Sequence, residues 1–141
     1  MKKIIPIFFM AFVFTNCTRA GDKKLTCTDF KIGKFQLINK EAKTKYLIQR
    51  TADSQIEQTY DLVTNKKIMK ARYYKISWKN DCEYTLILDT LKSQYDQTDI
   101  YINSIGGYNC SIKSITDDCA MIETKVESEV LTSQVCKLSK E

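Results

Sequence analysis

The chain has 141 residues and a formal net charge of +5 at pH 7, with six cysteines and no histidine. This length suits one domain with one core and excludes multi-domain enzymes. Basic and acidic residues are interleaved without an arginine-rich tract, so we expect a solvated surface and no nucleic-acid partner. The lack of histidine removes the commonest general base and the Ser-His-Asp and Cys-His systems. We therefore predict a protein that is not an enzyme, with no catalytic residues.

The N-terminus has the pattern of a bacterial export signal. Two lysines precede an apolar run over residues 4–14, which is too short to span a membrane but typical of a signal peptide. Cys17 follows at the position where bacterial lipoproteins carry their lipid. We predict a lipoprotein signal peptide over residues 1–16 and lipidation at Cys17. Asn16 is larger than the residue usual before that cysteine, and cleavage after Ala20, which would give a protein secreted to the periplasm, is the alternative.

The predicted lipid would be the only membrane contact of the protein, and each buried methylene of an acyl chain contributes about 0.8 kcal/mol. No run of acidic residues follows Cys17 to suggest surface display. We expect a lipid-anchored protein of the cell envelope, at the outer membrane and facing the periplasm. The predicted organisation continues with a tether over residues 17–27 and a single β domain over residues 28–141, and we expect a monomer.

Five cysteines remain beyond Cys17. In an oxidising compartment, this number in a small domain indicates structural disulfides, with at most two pairs and one thiol left over. There is no CxxC motif and no histidine, so the spacing fits no metal site, and we predict neither a metal nor a cofactor. The five residues are Cys27, Cys82, Cys110, Cys119 and Cys136.

Alternation of apolar and polar residues dominates the mature chain and is typical of half-buried strands. The first predicted strand covers residues 30–37, with Gly33 as a bulge because the apolar positions change parity across it. The second covers residues 46–50. The third covers residues 56–62, with its apolar side chains, including Tyr60, on one face.

The fourth and fifth predicted strands form a hairpin whose register can be argued. A three-residue loop pairs Trp78 with Cys82 and Ile76 with Tyr84, and all of these side chains then point the same way. A two-residue turn would place Trp78 opposite Glu83, on the wrong face. We therefore predict the three-residue loop.

The stretch after this hairpin is polar over residues 90–98, where a helical turn is possible. Ile100 and Ile102 are predicted to start the next strand. The chain is predicted to turn at Gly106 and Gly107 and then to enter the next strand.

The C-terminal segment fits either a helix or two strands, and we favour strands. If the last hairpin turns at residues 126–129, Cys119 falls opposite Cys136, which supports a disulfide between them. The predicted fold class is all-β. The expected architecture is an antiparallel meander of eight or nine strands, closed or half-closed into a small lipocalin-like barrel.

Three stretches have a familiar form: Cys27-Thr-Asp-Phe-Lys-Ile-Gly-Lys-Phe35, Ile48-Gln-Arg50 with Gln55-Ile-Glu57, and Ile76-Ser-Trp78-Lys-Asn-Asp-Cys82-Glu-Tyr84. Over residues 27–115 the chain resembles a group of small uncharacterised lipoproteins of Bacteroidota, especially flavobacteria. The resemblance implies a mostly β envelope lipoprotein with a disulfide between Cys27 and Cys82, and it implies no activity. Members are often labelled as a topoisomerase subunit, but strand passage needs several large domains and a metal site.

Several aromatic residues of the predicted strands could line a ligand cavity within the barrel. They could accept an apolar or sugar-like ligand, with Arg50 as a polar anchor. The simpler interpretation is that they only fill the interior. The residues that could line the cavity are Tyr46, Tyr60, Tyr74, Trp78 and Tyr84. The candidate ligand-binding residues are Arg50, Tyr60, Trp78 and Tyr84, for an unknown apolar, glycan or protein ligand.

Two carboxylates give the one catalytic alternative. Glu57 and Glu83 could serve glycoside hydrolysis in a periplasmic wall-active hydrolase or an inhibitor-type effector, if they lay at the required separation. The simpler interpretation is that Glu57 forms a cross-strand ion pair with Arg50, which contributes a fraction of a kcal/mol. The expected function is therefore a non-catalytic binding or interaction module.

Overall fold

The structure, a computed structural model, describes residues 24–138. Within these residues, eight antiparallel strands follow one another, and each pairs with the next. The last strand pairs with the first, with Gln36 opposite Cys136, so the sheet closes into a barrel. The predicted all-β meander is confirmed, with eight strands and full closure. The predicted signal peptide and the lipidation at Cys17 lie outside the described residues.

Two short helices accompany the strands. A 3₁₀ helix precedes the first strand, and an α-helix lies between the fifth and sixth. Neither helix in this part of the chain is long and apolar enough to cross a membrane. In chain order the elements are the 3₁₀ helix Cys27–Phe30, β1 (Gly33–Asn39), β2 (Thr44–Arg50), β3 (Ser54–Asp61), β4 (Arg72–Trp78), β5 (Glu83–Leu88), α1 (Gln97–Ser104), β6 (Tyr108–Thr116), β7 (Cys119–Val126) and β8 (Glu129–Lys137).

The barrel end at which β1 begins, here called the closed end, is sealed by the 3₁₀ helix. Phe30 is fully buried and stacks on Phe35, with the ring centroids 5.7 Å apart. Gly33 has a φ of +141°, which lets the chain leave the helix and enter β1. The predicted first strand over residues 30–37 was therefore wrong at its start, and Gly33 begins the strand instead of forming a bulge. Leu25 also packs against the core, so the packed domain begins before residue 28.

The hairpin of β4 and β5 differs from its predicted register by two residues. Trp78 lies opposite Tyr84 and not opposite Cys82, so the connection is longer than the predicted three residues. The side chain of Asn80 accepts hydrogen bonds from the backbone N–H groups of Cys82 and Glu83, which stabilises this longer loop. Because the shift is even, the same side chains still face the interior.

Helix α1 replaces the strand predicted to start at Ile100 and Ile102. The Asp96 carboxylate accepts a hydrogen bond from the Asp99 N–H at 3.0 Å, and the Asp99 carboxylate accepts one from the Asp96 N–H at 3.1 Å. This reciprocal cap satisfies two backbone donors at the helix start. Ile102 is buried, whereas Ile100 is exposed. Ile100 and Ile102 therefore do not share one face of a strand, because only Ile102 takes a buried position on the helix.

The cysteines form the two predicted disulfides. Cys119 lies directly opposite Cys136 on β7 and β8, and the two are bonded, which also confirms strands in the C-terminal segment. The second bond joins Cys27 to Cys82 and so ties the 3₁₀ helix to the loop between β4 and β5. Both bonds lie at the closed end. Cys110 is the free, buried thiol among the described residues.

Candidate ligand-binding cavity

The barrel encloses a cavity of about 420 Å³, and all eight strands contribute to its wall. This volume lies within the range usual for small-molecule sites, about 300–1,000 Å³. Its lining residues include Asn39, Tyr46, Tyr108 and Leu131, which lie at the strand ends away from the 3₁₀ helix, here called the open end. The aliphatic part of the wall is formed by Leu37, Ile48, Leu86, Ile122, Leu131 and Val135.

Arg50 forms the floor of the cavity, where β2 reaches the closed end, and it is only 3% exposed. Its Nε donates to Gln55 Oε1 at 2.5 Å, its Nη1 to the Phe30 carbonyl at 3.0 Å, and its Nη2 to the Tyr84 hydroxyl at 2.7 Å. The guanidinium carbon lies 5.3 Å from the ring centroid of Phe35 and 4.7 Å from that of Tyr84. All of these partners are uncharged. Among the described residues, no carboxylate lies within ion-pair distance of Arg50.

A carboxylate is linked to Arg50 only through an amide. Gln55 Nε2 donates to Glu57 Oε1 at 2.6 Å. The predicted direct pair between Glu57 and Arg50 was wrong, because Glu57 lies opposite Ile48 on β2, and it is Gln55 that lies opposite Arg50. Burial raises the pKa of Glu57, and the hydrogen bond from Gln55 and the charges of Arg50 and Arg72 offset this only in part.

A second arginine lies closer to the open end. Arg72 on β4 lies opposite Glu57 on β3, and its guanidinium donates to the Asp99 carboxylate of α1. This ion pair joins the helix to the cavity wall. Burial raises the pKa of Tyr74 and of Tyr108, so both hydroxyls stay protonated and can donate hydrogen bonds at neutral pH.

Of the four candidate ligand-binding residues, two line the cavity and two do not. Arg50 and Tyr84 line the cavity. Trp78 does not, because it lies at the closed end, with its ring centroid 4.6 Å from that of Tyr84. Tyr60 lies on the outer face of β3, opposite Lys45, whose Nζ is 5.5 Å from its ring centroid. The predictions that Trp78 and Tyr60 line the cavity were therefore wrong.

Tyr60 was misplaced because the inner face of β3 is polar. Gln55 is 1% exposed and Thr59 is 4% exposed, and Glu57 between them lines the cavity, whereas the apolar Ile56 faces outward. Gln55 was not among the predicted site residues. The signal that could have found it is the tight turn after Arg50, which pairs Arg50 with Gln55 and therefore places both on one face.

The two carboxylates of the catalytic alternative, Glu57 and Glu83, do not lie together. Glu83 lies on the outer, exposed face of β5, whereas Glu57 faces the cavity, so the two lie on opposite sides of the wall. Over residues 24–138, no three His, Cys, Asp or Glu side chains are grouped to hold a metal ion. Burial raises the pKa of the Cys110 thiol, which therefore stays protonated beside Thr124.

Comparisons of the chain with family models, with curated proteins and with solved structures found no match. The resemblance to lipoproteins of Bacteroidota therefore stays a prediction from three short stretches.

Proposed function

We propose that the protein is a non-catalytic, lipid-anchored binding protein of the cell envelope that holds a small organic ligand inside its barrel. The observation that carries this proposal is the cavity of about 420 Å³ with a buried arginine, Arg50, at its floor. Small barrels without a ligand are usually filled by their own side chains. A concave site with an apolar wall and a few converging polar groups is the usual form of a small-molecule site.

Disulfides and chain direction support the envelope part of the proposal. Two disulfides in a domain of this size favour an oxidising compartment, and the predicted export signal agrees with this. The chain enters the barrel at the closed end, through Cys27. About ten residues separate Cys27 from Cys17, and a chain spans at most about 3.5 Å per residue. A lipid on Cys17 would therefore hold the closed end near the membrane and leave the open end accessible.

One matched pair of variants tests the cavity. N-phenyl-1-naphthylamine, a neutral apolar dye, should bind the wild-type protein with a stoichiometry of one. Ser133→Phe places a ring inside the cavity and should abolish this binding, whereas Gln134→Phe places the same ring on the outer face of β8 and should not. Failure of the wild type to bind the dye, or equal binding by both variants, would overturn the ligand-binding proposal.

The anchor is tested by the mass of the same protein. Denaturing mass spectrometry of the envelope-purified chain should show a mature N-terminus at Cys17 with acyl chains attached. An unmodified chain that starts at Gly21 would overturn the lipid anchor and leave a secreted binding protein.

A further inference from the structure

Arg50 is a buried cation whose neighbours leave part of its binding capacity unused. A guanidinium carries five N–H donors. The hydrogen bonds to Gln55, Phe30 and Tyr84 use three of them, and Arg50 also lines the cavity. Burying a charge among uncharged partners is costly unless a counter-charge completes the site. The floor of the cavity therefore has both the donors and the charge to bind an anion.

The charge of Arg50 acts on Glu57, but the two side chains form no direct ion pair. The Gln55 amide stands between Glu57 and Arg50 and is hydrogen-bonded to both. Glu57 also has a different cation, Arg72, opposite it on β4. Burial raises the pKa of Glu57, and the hydrogen bond from Gln55 and the charge of Arg50 lower it only in part.

The remaining wall restricts the body of the ligand. Beyond the floor, the wall combines aliphatic side chains and the rings of Tyr46, Tyr74 and Tyr108 with several smaller polar groups, which belong to Asn39, Glu57, Thr124, Thr132 and Ser133. Such a wall binds a hydrocarbon or aromatic group by burial, and the tyrosine hydroxyls can bond a polar substituent near the open end. The planar fork of an arginine matches a carboxylate better than any other common organic anion except a phosphate.

We infer that the ligand is an organic acid, with an apolar or aromatic body that fits about 420 Å³ and one carboxylate bound by Arg50 at the cavity floor. This inference rests on the proposed function. The acid enters carboxylate first from the open end, because the 3₁₀ helix and Phe30 seal the other end.

The charge around the open end is consistent with this direction of entry. The turns that join β1 to β2 and β3 to β4 lie above the strands that carry Arg50 and Gln55. They hold five exposed lysines against one acid, namely Lys40, Lys43, Lys66, Lys67 and Lys70 against Glu41, and Asp61 ends β3 beside the second turn. The opposite side of the open end, formed by α1 and the turn between β7 and β8, carries Asp96, Glu127 and Glu129. An anion is therefore drawn to the side of the opening that lies above Arg50.

The test compares acids with matched amides on the unaltered protein. Isothermal titration with 4-phenylbutanoate and 4-phenylbutanamide, and with octanoate and octanamide, holds the body constant and changes only the charge. We expect each acid to bind at least about 10-fold more tightly than its amide, because hydrogen bonds to a charged acceptor are the stronger ones. An amide that binds as tightly as its acid would overturn the inference.

Variants of Arg50 show whether this residue causes the preference. Arg50→Gln should bind the acid and the amide equally, and Arg50→Lys should keep a preference for the acid. Should Arg50→Gln fail to fold, the comparison on the wild-type protein still decides. The neutral dye separates the two proposals: a protein that binds the dye without preferring acids loses this inference only, and a protein that does not bind the dye loses the proposed function.

Discussion

The disulfide between Cys27 and Cys82 should be the more important of the two bonds for stability. Its cysteines are 55 residues apart in sequence, whereas Cys119 and Cys136 are 17 apart. In the chain-entropy treatment, loops of these lengths correspond to about 4 kcal/mol and about 3 kcal/mol of stabilisation. We expect the Cys27→Ala, Cys82→Ala double variant to lose about 4 kcal/mol in the free energy of unfolding, about 1 kcal/mol more than the Cys119→Ala, Cys136→Ala double variant.

The position of each bond in the fold points to the same order. Cys119 and Cys136 lie in strands that pair along their whole length, so the ladder holds them together without the disulfide. Cys27 lies in the 3₁₀ helix, which is outside the sheet and carries Phe30 into the closed end. Without its disulfide, this helix is held by packing and by the hydrogen bonds that Arg50 donates to the Phe30 carbonyl and Lys137 donates to the Asp29 carbonyl.

Urea unfolding measures both losses. The chain has a single tryptophan, Trp78, whose ring packs on Tyr84 at the closed end, so its fluorescence should report the loss of this region. Both double variants retain the buried thiol of Cys110, which makes them matched controls for each other. A smaller loss for the Cys27 and Cys82 variant than for the other would refute the reasoning, because the helix would then be held in place without its bond.

Two further predictions concern Glu57 and the glycines after α1. Because the folded state raises the pKa of Glu57, the folded protein holds this proton to a higher pH than the unfolded chain does, and stability is lost as the pH rises through that range. Thermal melting of Glu57→Gln should match the wild type near about pH 4 and exceed it near about pH 8, and equal melting temperatures at both would contradict the shift. Gly107→Ala should cost at least about 2 kcal/mol, since φ is +80° and the new Cβ would lie 2.2 Å from the Leu86 carbonyl oxygen. Gly106→Ala, with φ of +99° and no atom within 4 Å of its Cβ, should cost less in the same melts, and equal losses would show that the contact with Leu86 does not matter.

The barrel could be predicted because most of its strands have one apolar face. In β4 and β5 the alternation assigns Tyr74, Ile76, Tyr84 and Leu86 to the interior, and all four are buried there. The register of that hairpin could not be obtained from alternation, because a shift of two residues leaves the faces unchanged. It depends instead on the hydrogen bonds that Asn80 accepts within the loop.

Helix α1 was missed because its evidence is local and short. Asp96 and Asp99 have the spacing of a capping box, and the Gly106-Gly107 pair ends the helix with positive φ at both positions. The same glycine pair is also typical of a hairpin turn, which is how it was interpreted. The helix buries only Ile102 and Asp99, so its apolar periodicity is too weak to outweigh the pattern of strands on either side.

The error in β3 has a different cause, and it points to the site. Hydrophobic patterning places the apolar side chains of a strand inside, but in β3 the inward residues are Gln55, Glu57 and Thr59. Polar groups keep such positions only where they find partners, and Gln55 finds them in Arg50 and Glu57. An apolar β3 would leave Arg50 without its Nε acceptor. The polar residues of β3 that caused the wrong assignment of its inner face therefore also make the cavity floor polar. In a barrel of this kind, a strand that turns a polar face inward indicates where a ligand site lies.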